Sequence, residues 1–230
     1  MEAIVLAGGF GSRLRKTVPD LPKPMAPIAG RPFLEILLGS LVRKGFRRVI
    51  LSLGFMSEKI SGFFGSQFAG VELIYVVEDQ PLGTGGATRL ALEQAKVDHV
   101  FIFNGDTFLD LEVNQVESQW ITHQKPIIVA REVADTSRFG RLACEDGIVT
   151  RFLEKGMTGP GIINAGCYIF RRNQLDEFEL GRFFSLEQDY LARKVGTREF
   201  GVFVSHGQFI DIGVPEDLAK AQLELAAFNK

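Results

Sequence analysis

Short apolar runs alternate with amphipathic stretches through the first half of the chain. Residues 3–6, Arg48–Leu53, Val71–Val77 and His99–Asn104 are runs of strand length, and the first two are continuous enough to be buried on both faces. Helical spacing follows each run: Phe33, Leu34, Leu37, Leu38, Leu41 and Val42 up to Gly45, then Ser57–Phe64, then 88–95 opened by Leu82-Gly83-Thr84-Gly85-Gly86-Ala87. Pro19, Pro22, Pro24 and Pro27 predict an extended loop between the first run and the first helix. Repeated strand-then-helix units predict a parallel sheet with helices on both faces.

Beyond Asp106 the pattern changes. Strands are expected at 126–131 and 162–170, with a hairpin of 140–144 and 148–152 around Asp146-Gly147. A helix is expected near 186–195, a last strand pair at 200–205 and 208–212, and an amphipathic helix over 215–228. No repeat or low-complexity linker interrupts the chain. It reads as one domain over 1–230, with halves 1–110 and 111–230, the second more antiparallel.

Composition narrows the class. The 230 residues are 46% hydrophobic and 23% charged with net charge −2, so no basic face for nucleic acid is expected. Cys144 and Cys167 lie far apart without metal-binding spacing and are expected as buried thiols in a reducing cytosol. The N-terminal run breaks at Gly8 with no charged leader, and no window is long enough to span a bilayer. A cytoplasmic protein without membrane partners is expected.

The first strand runs into Leu6-Ala7-Gly8-Gly9-Phe10-Gly11-Ser12-Arg13-Leu14, followed by Pro22-Lys23-Pro24-Met25. The glycines fail the dinucleotide fingerprint at the third glycine and fail the Walker A pattern, since no Gly-Lys-Ser/Thr closes the loop. They would also suit a plain strand–helix turn. Backbone donors flanked by Arg13 and Lys23 in a proline-stiffened loop favour an anion carrying several phosphates. Asn104-Gly105-Asp106 ends the fourth strand, where open α/β sheets bind ligands, yet its residues alone read as a turn. Asp211 alone reads as a cap, and Thr84 equally as the cap of the helix it precedes.

The two opening segments, and the motifs that follow in order, resemble the sugar-1-phosphate nucleotidyltransferase (NDP-sugar pyrophosphorylase) family along nearly the whole chain. Within it the chain is most similar to the single-domain guanylyltransferases of D-glycero-D-manno-heptose 1-phosphate. The resemblance implies a Rossmann-like three-layer α/β/α fold with a mixed sheet and no C-terminal β-helix. It implies transfer of a nucleoside monophosphate from an NTP, GTP favoured, to a sugar 1-phosphate, with Mg²⁺ and release of pyrophosphate. Asp106 and Asp211 would be the metal ligands, Arg13 would face the β and γ phosphates, and Lys23 the α-phosphate. Leu6, Ala7, Gly8, Gly9, Gly11, Gly83, Thr84 and Asn104 would line the nucleotide site.

Gln80 is the candidate base reader, because an amide both donates and accepts. That departs from the guanylyl branch, where an acid often stands, and Gln suits uracil or thymine equally well. Phe139-Gly140-Arg141, Glu154 with Lys155, and Asn164-Ala165-Gly166 resemble the sugar-phosphate segments, placing Gly140, Glu154, Lys155 and Asn164 there. Ser185 and Gln188 fit a capping box and are read as structural. His99, His123 and His206 are given no role. Mannose-1-phosphate guanylyltransferase, a uridylyl- or thymidylyltransferase for glucose or N-acetylmuramate 1-phosphate, and a nucleotide-sugar-binding regulatory subunit stand as alternatives. The aromatic-rich stretch 178–184 is the candidate surface for a homo-oligomer.

Overall fold

The computed structural model of the chain describes residues 1–11, 14, 18–153 and 156–229. The main strands and helices, in order, are β1 Glu2–Leu6, α1 Phe33–Arg43, β2 Arg48–Leu53, α2 Ser57–Phe64, β3 Val71–Val77, α3 Gly83–Leu92, β4 His99–Asn104 and α4 Val113–His123. They continue as β5 Ile127–Val133, β6 Leu142–Glu145, β7 Ile148–Phe152, β8 Gly161–Arg171, β9 Gly201–Ser205 and α5 Pro215–Glu224. A single ten-stranded sheet runs in the order β6-β7-β9-β5-β8-β4-β1-β2-β3, closed beyond β3 by the short Gln67–Phe68 strand. β4, β1, β2 and β3 are mutually parallel, while β8 enters antiparallel between β4 and β5. The fold is therefore a mixed three-layer α/β/α sheet, as the sequence predicts.

Alternation along the strands sends side chains to two cores. Ala3, Val5, Val49, Leu51, Phe101 and Phe103 pack under α1, α2 and α4. Ile4, Ile50, Val100 and Ile102 pack on the other face against Ala91 and Leu92 of α3 and against Leu186 and Tyr190. The continuous apolar runs are thus buried on both faces, which is why their bounds are readable without any alternating signal.

The predicted last strand pair does not form. β9 lies parallel beside β5 in the main sheet, whereas Phe209–Asp211 pairs antiparallel with Thr107–Leu109 in a separate ribbon. The ribbon packs on a third core in which Phe108, Ile210 and Ile212 meet Leu14, Ile28 and Phe33 from early in the chain and Leu218 and Ala221 from α5. The segment 111–123, for which no helix is expected above, holds α4. Its N-cap residue Glu112 makes no capping bond; its carboxylate instead accepts from the Ser205 hydroxyl at 2.6 Å and the His206 N–H at 2.9 Å.

Other elements shift from expectation. The glycines at 83–86 lie inside α3 rather than before it, and the proline loop contains a 3₁₀ turn at Lys23–Met25. The expected 186–195 helix begins as a π-helical turn, Leu186–Leu191. The Ser185 hydroxyl accepts from Gln188 N–H at 3.2 Å, but the return bond comes from Asp189, whose carboxylate accepts from Ser185 N–H at 2.7 Å. The wider turn thus hands the return bond of the expected capping box from Gln188 to Asp189, one residue on. In the hairpin, Asp146 (φ 50°) and Gly147 (φ 74°) carry the two left-handed residues of a type I′ turn.

The crossing from β9 into the ribbon depends on Gly207, where a Cβ would lie 1.9 Å from the backbone carbonyl oxygen of Asp110. Asp110 N–H in turn donates to Gln208 carbonyl at 2.9 Å. Neither backbone can give way, so Gly207→Ala should destabilise the fold by about 1–3 kcal/mol, seen as a lower urea midpoint at unchanged slope. An unchanged midpoint would show that this turn is not what docks the ribbon.

Candidate active site

The C-terminal ends of β1, β2 and β4 open onto a cleft of about 600 Å³. Leu6, Ala7, Gly8, Gly9 and Gly11 form one wall, Gln80, Gly83 and Thr84 another, and Asn104, Gly105 and Asp106 close it. Of the residues expected at the nucleotide, all those that the structure describes line this one cleft. Lys23 reaches it because the 3₁₀ turn is set by Pro22 and by the Met25 N–H donating to Pro22 carbonyl at 2.8 Å. Gly11, at φ 58°, makes room for the lysine stem, since a Cβ there would sit 2.9 Å from the Lys23 Cβ.

The ribbon brings the two aspartates together. Asp211 stands opposite Thr107, and Ile212 N–H donates to Asp106 carbonyl at 3.0 Å. Lys23 Nζ donates to Asp106 Oδ2 at 2.5 Å. Gly213 N–H donates to Asp211 Oδ1 at 2.6 Å. Burial, and then the negative charge of Asp106, push the Asp211 carboxyl above its ordinary pKa, against the opposing pull of Lys23 and the Gly213 N–H. Asp106 lines the cleft and Asp211 stands beside it, just behind the lining, so the pair forms an all-oxygen donor set. Among the described residues no cluster of three or more His, Cys, Asp and Glu side chains exists, so a cation here would draw on few protein ligands.

Thr84 does not cap α3. Its hydroxyl accepts from Leu186 N–H at 3.0 Å, and the Phe184 carbonyl accepts from Gly85 N–H at 2.9 Å. Phe184 N–H returns a bond to Leu82 carbonyl at 3.0 Å, so the second half of the chain caps a helix of the first.

An acid missed above also faces the cleft. Glu78 lies half-buried two residues before Gln80, with Oε2 accepting from Leu82 N–H at 2.8 Å. Burial raises its pKa and the Leu82 N–H opposes that. Gln80 is exposed at the rim. The turn 78–82 folds Glu78 back beneath the loop, a placement that counting from Gly83 cannot reveal; only its position directly after β3 hints at it.

The sugar-phosphate residues gather less clearly. Asn164 and Gly140 do not line the cleft. Asn164 Nδ2 donates to Tyr168 hydroxyl at 2.7 Å and Glu187 Oε1 at 2.9 Å, and its Oδ1 accepts from Gly166 N–H at 3.1 Å. Its amide is occupied by the protein. It nonetheless sits at the β8 bulge, where Gly166 abuts the Asn104 side chain of the cleft. Arg13, Glu154 and Lys155 lie outside the described residues.

A family model described as nucleotidyl transferase matches residues 2–227. The chain belongs to the nucleotidyl transferase family. It is 39% identical over 226 residues to a D-glycero-α-D-manno-heptose 1-phosphate guanylyltransferase of Aneurinibacillus thermoaerophilus, covering 98% of each chain. It is 33% identical to a mannose-1-phosphate guanylyltransferase of Mycobacterium tuberculosis, of which it covers 64%. The crystal structure of HddC from Yersinia pseudotuberculosis complexed with GMP-PN superposes with a TM-score of 0.85 at 35% identity, over 96% of this chain and 97% of that one. This nucleotidyl transferase therefore shares the fold of HddC and aligns along nearly all of the heptose 1-phosphate guanylyltransferase.

Proposed function

We propose that this nucleotidyl transferase transfers GMP from GTP to D-glycero-α-D-manno-heptose 1-phosphate in the cytosol, feeding surface polysaccharide synthesis. The carrying observation is Glu78: a carboxylate facing the cleft can accept from two adjacent N–H groups, as guanine presents and uracil or thymine does not. Likeness to the heptose guanylyltransferases over nearly full length supports the acceptor.

The chemistry asks for alignment rather than for a general base. A sugar phosphate is already ionised at neutral pH, and its oxygen attacks the α-phosphorus as pyrophosphate leaves. Backbone N–H groups of the glycine turn suit the triphosphate, and Lys23, which lines the same cleft, would meet the charge that grows on the α-phosphoryl oxygens. Asp106 and Asp211 would hold Mg²⁺, which suits one or two carboxylates plus substrate phosphates and would neutralise phosphate charge. Until then Lys23 offsets Asp106, so the lysine would exchange one anionic partner for another when substrate binds.

Pyrophosphate release measured over four NTPs crossed with hexose and heptose 1-phosphates should be highest for GTP with the heptose and vanish with EDTA. UTP with glucose 1-phosphate winning would overturn the substrates but keep the reaction class; no release from any pair would favour a regulatory binding protein. Lys23→Ala should lower kcat by roughly 10²–10³ with little change in thermal midpoint, and wild-type turnover would remove it from the reaction. Glu78→Gln should cut kcat/KM for GTP by about ten- to a hundredfold and narrow its lead over UTP. An unchanged GTP-to-UTP ratio would return base reading to Gln80.

A further inference from the structure

Phe183 is the most conspicuous side chain that the reading above leaves unused. It is 69% exposed, whereas its neighbour Phe184 is 2% exposed and stacks on Phe178 at 3.9 Å in the core. A phenyl ring left in water needs an explanation when the residue beside it is packed. Phe183 lines the nucleotide cleft, on the wall formed by Gly83 and Thr84. Its Cε2 lies 3.3 Å from where a Cβ of Gly83 would be, so the ring edge rests against the backbone of α3's first residue.

The ring is also held in place. Its segment is pinned to the start of α3 by the Phe184 carbonyl, which accepts from Gly85 N–H, by Phe184 N–H to Leu82 carbonyl, and by Leu186 N–H to the Thr84 hydroxyl. These bonds fix the backbone just after Phe183 to the first turn of α3 and to Leu82, at the end of the loop that carries Glu78 and Gln80. The result is a preorganised aromatic face at the mouth of a cleft whose depth holds an edge-reading carboxylate.

We propose that Phe183 is a specificity-determining residue that stacks on the purine face of the nucleotide while Glu78 reads its edge. The assignment rests on the guanine reading above. Stacking on an aromatic side chain tolerates any base but grows with ring area, so it adds affinity for purines that hydrogen bonds alone do not supply. It also gives the second half of the chain, which supplies Phe183, a direct contact with the base.

Titration calorimetry with GMP, ribose 5-phosphate and pyrophosphate on wild type, Phe183→Ala and Phe183→Trp tests this. Phe183→Ala should weaken GMP about tenfold, leave the two base-free ligands unchanged, and lose more for GMP than for UMP. Phe183→Trp should keep GMP affinity and show indole fluorescence quenched by GMP but not by ribose 5-phosphate. Wild-type GMP affinity in Phe183→Ala, equal weakening of pyrophosphate, or an unquenched indole at saturating GMP would each overturn the assignment. A changed sedimentation coefficient with unaltered GMP affinity would overturn it too, marking the ring as a contact between copies. Repeating the series with whichever nucleotide the wild type prefers separates the two ideas. A loss of affinity there with UTP preferred would sink the guanine reading and keep the stacking.

Discussion

The ion pair between Lys23 and Asp106 joins parts of the chain that have no local reason to meet. The two residues are 83 positions apart and their charged atoms lie 2.5 Å from one another. The lysine side chain is nearly buried and the aspartate partly exposed, so the pair is screened unevenly. With Asp211 alongside, Lys23 stands against two carboxylates among the described residues, and the crowding shows in the raised pKa of Asp211. The end of β4, the ribbon and the proline loop each deliver one member of this cluster.

Two halves share the work unequally. The parallel strands β4, β1, β2 and β3 build the cradle from their ends, as open α/β sheets do. The second half contributes a carbonyl and backbone N–H groups that complete the first half's loops: Phe184 caps α3, Leu186 N–H donates to Thr84, and the Gly166 bulge abuts Asn104.

What was legible in the sequence follows from how strongly each element is buried. Arg48–Leu53 and His99–Asn104 have the bounds expected of them because an unbroken apolar run allows few alternatives. The cleft-lining residues were also readable, since glycine turns at strand ends advertise themselves. The three-residue strands of the ribbon are too short to show a period, so 208–212 was assigned to the wrong partner. α4 went unseen although Val113, Val116 and Trp120 share a face, because Glu112 at its N-cap is not one of the short polar residues that mark a helix start. Glu78 was missed for a related reason: a folded-back turn carries it beneath the loop, and distance along the chain says nothing about that.

The ribbon has a kinetic side. Its small core needs Leu14, Ile28 and Phe33 together with Ile210, Leu218 and Ala221, so it closes a loop of nearly two hundred residues. Contacts of such separation form late, after the locally wound βα units have condensed. During synthesis the glycine cradle and Asp106 emerge long before their partner aspartate exists. A nascent chain of this protein therefore passes through a stage that has the glycine turn but only half of the carboxylate pair.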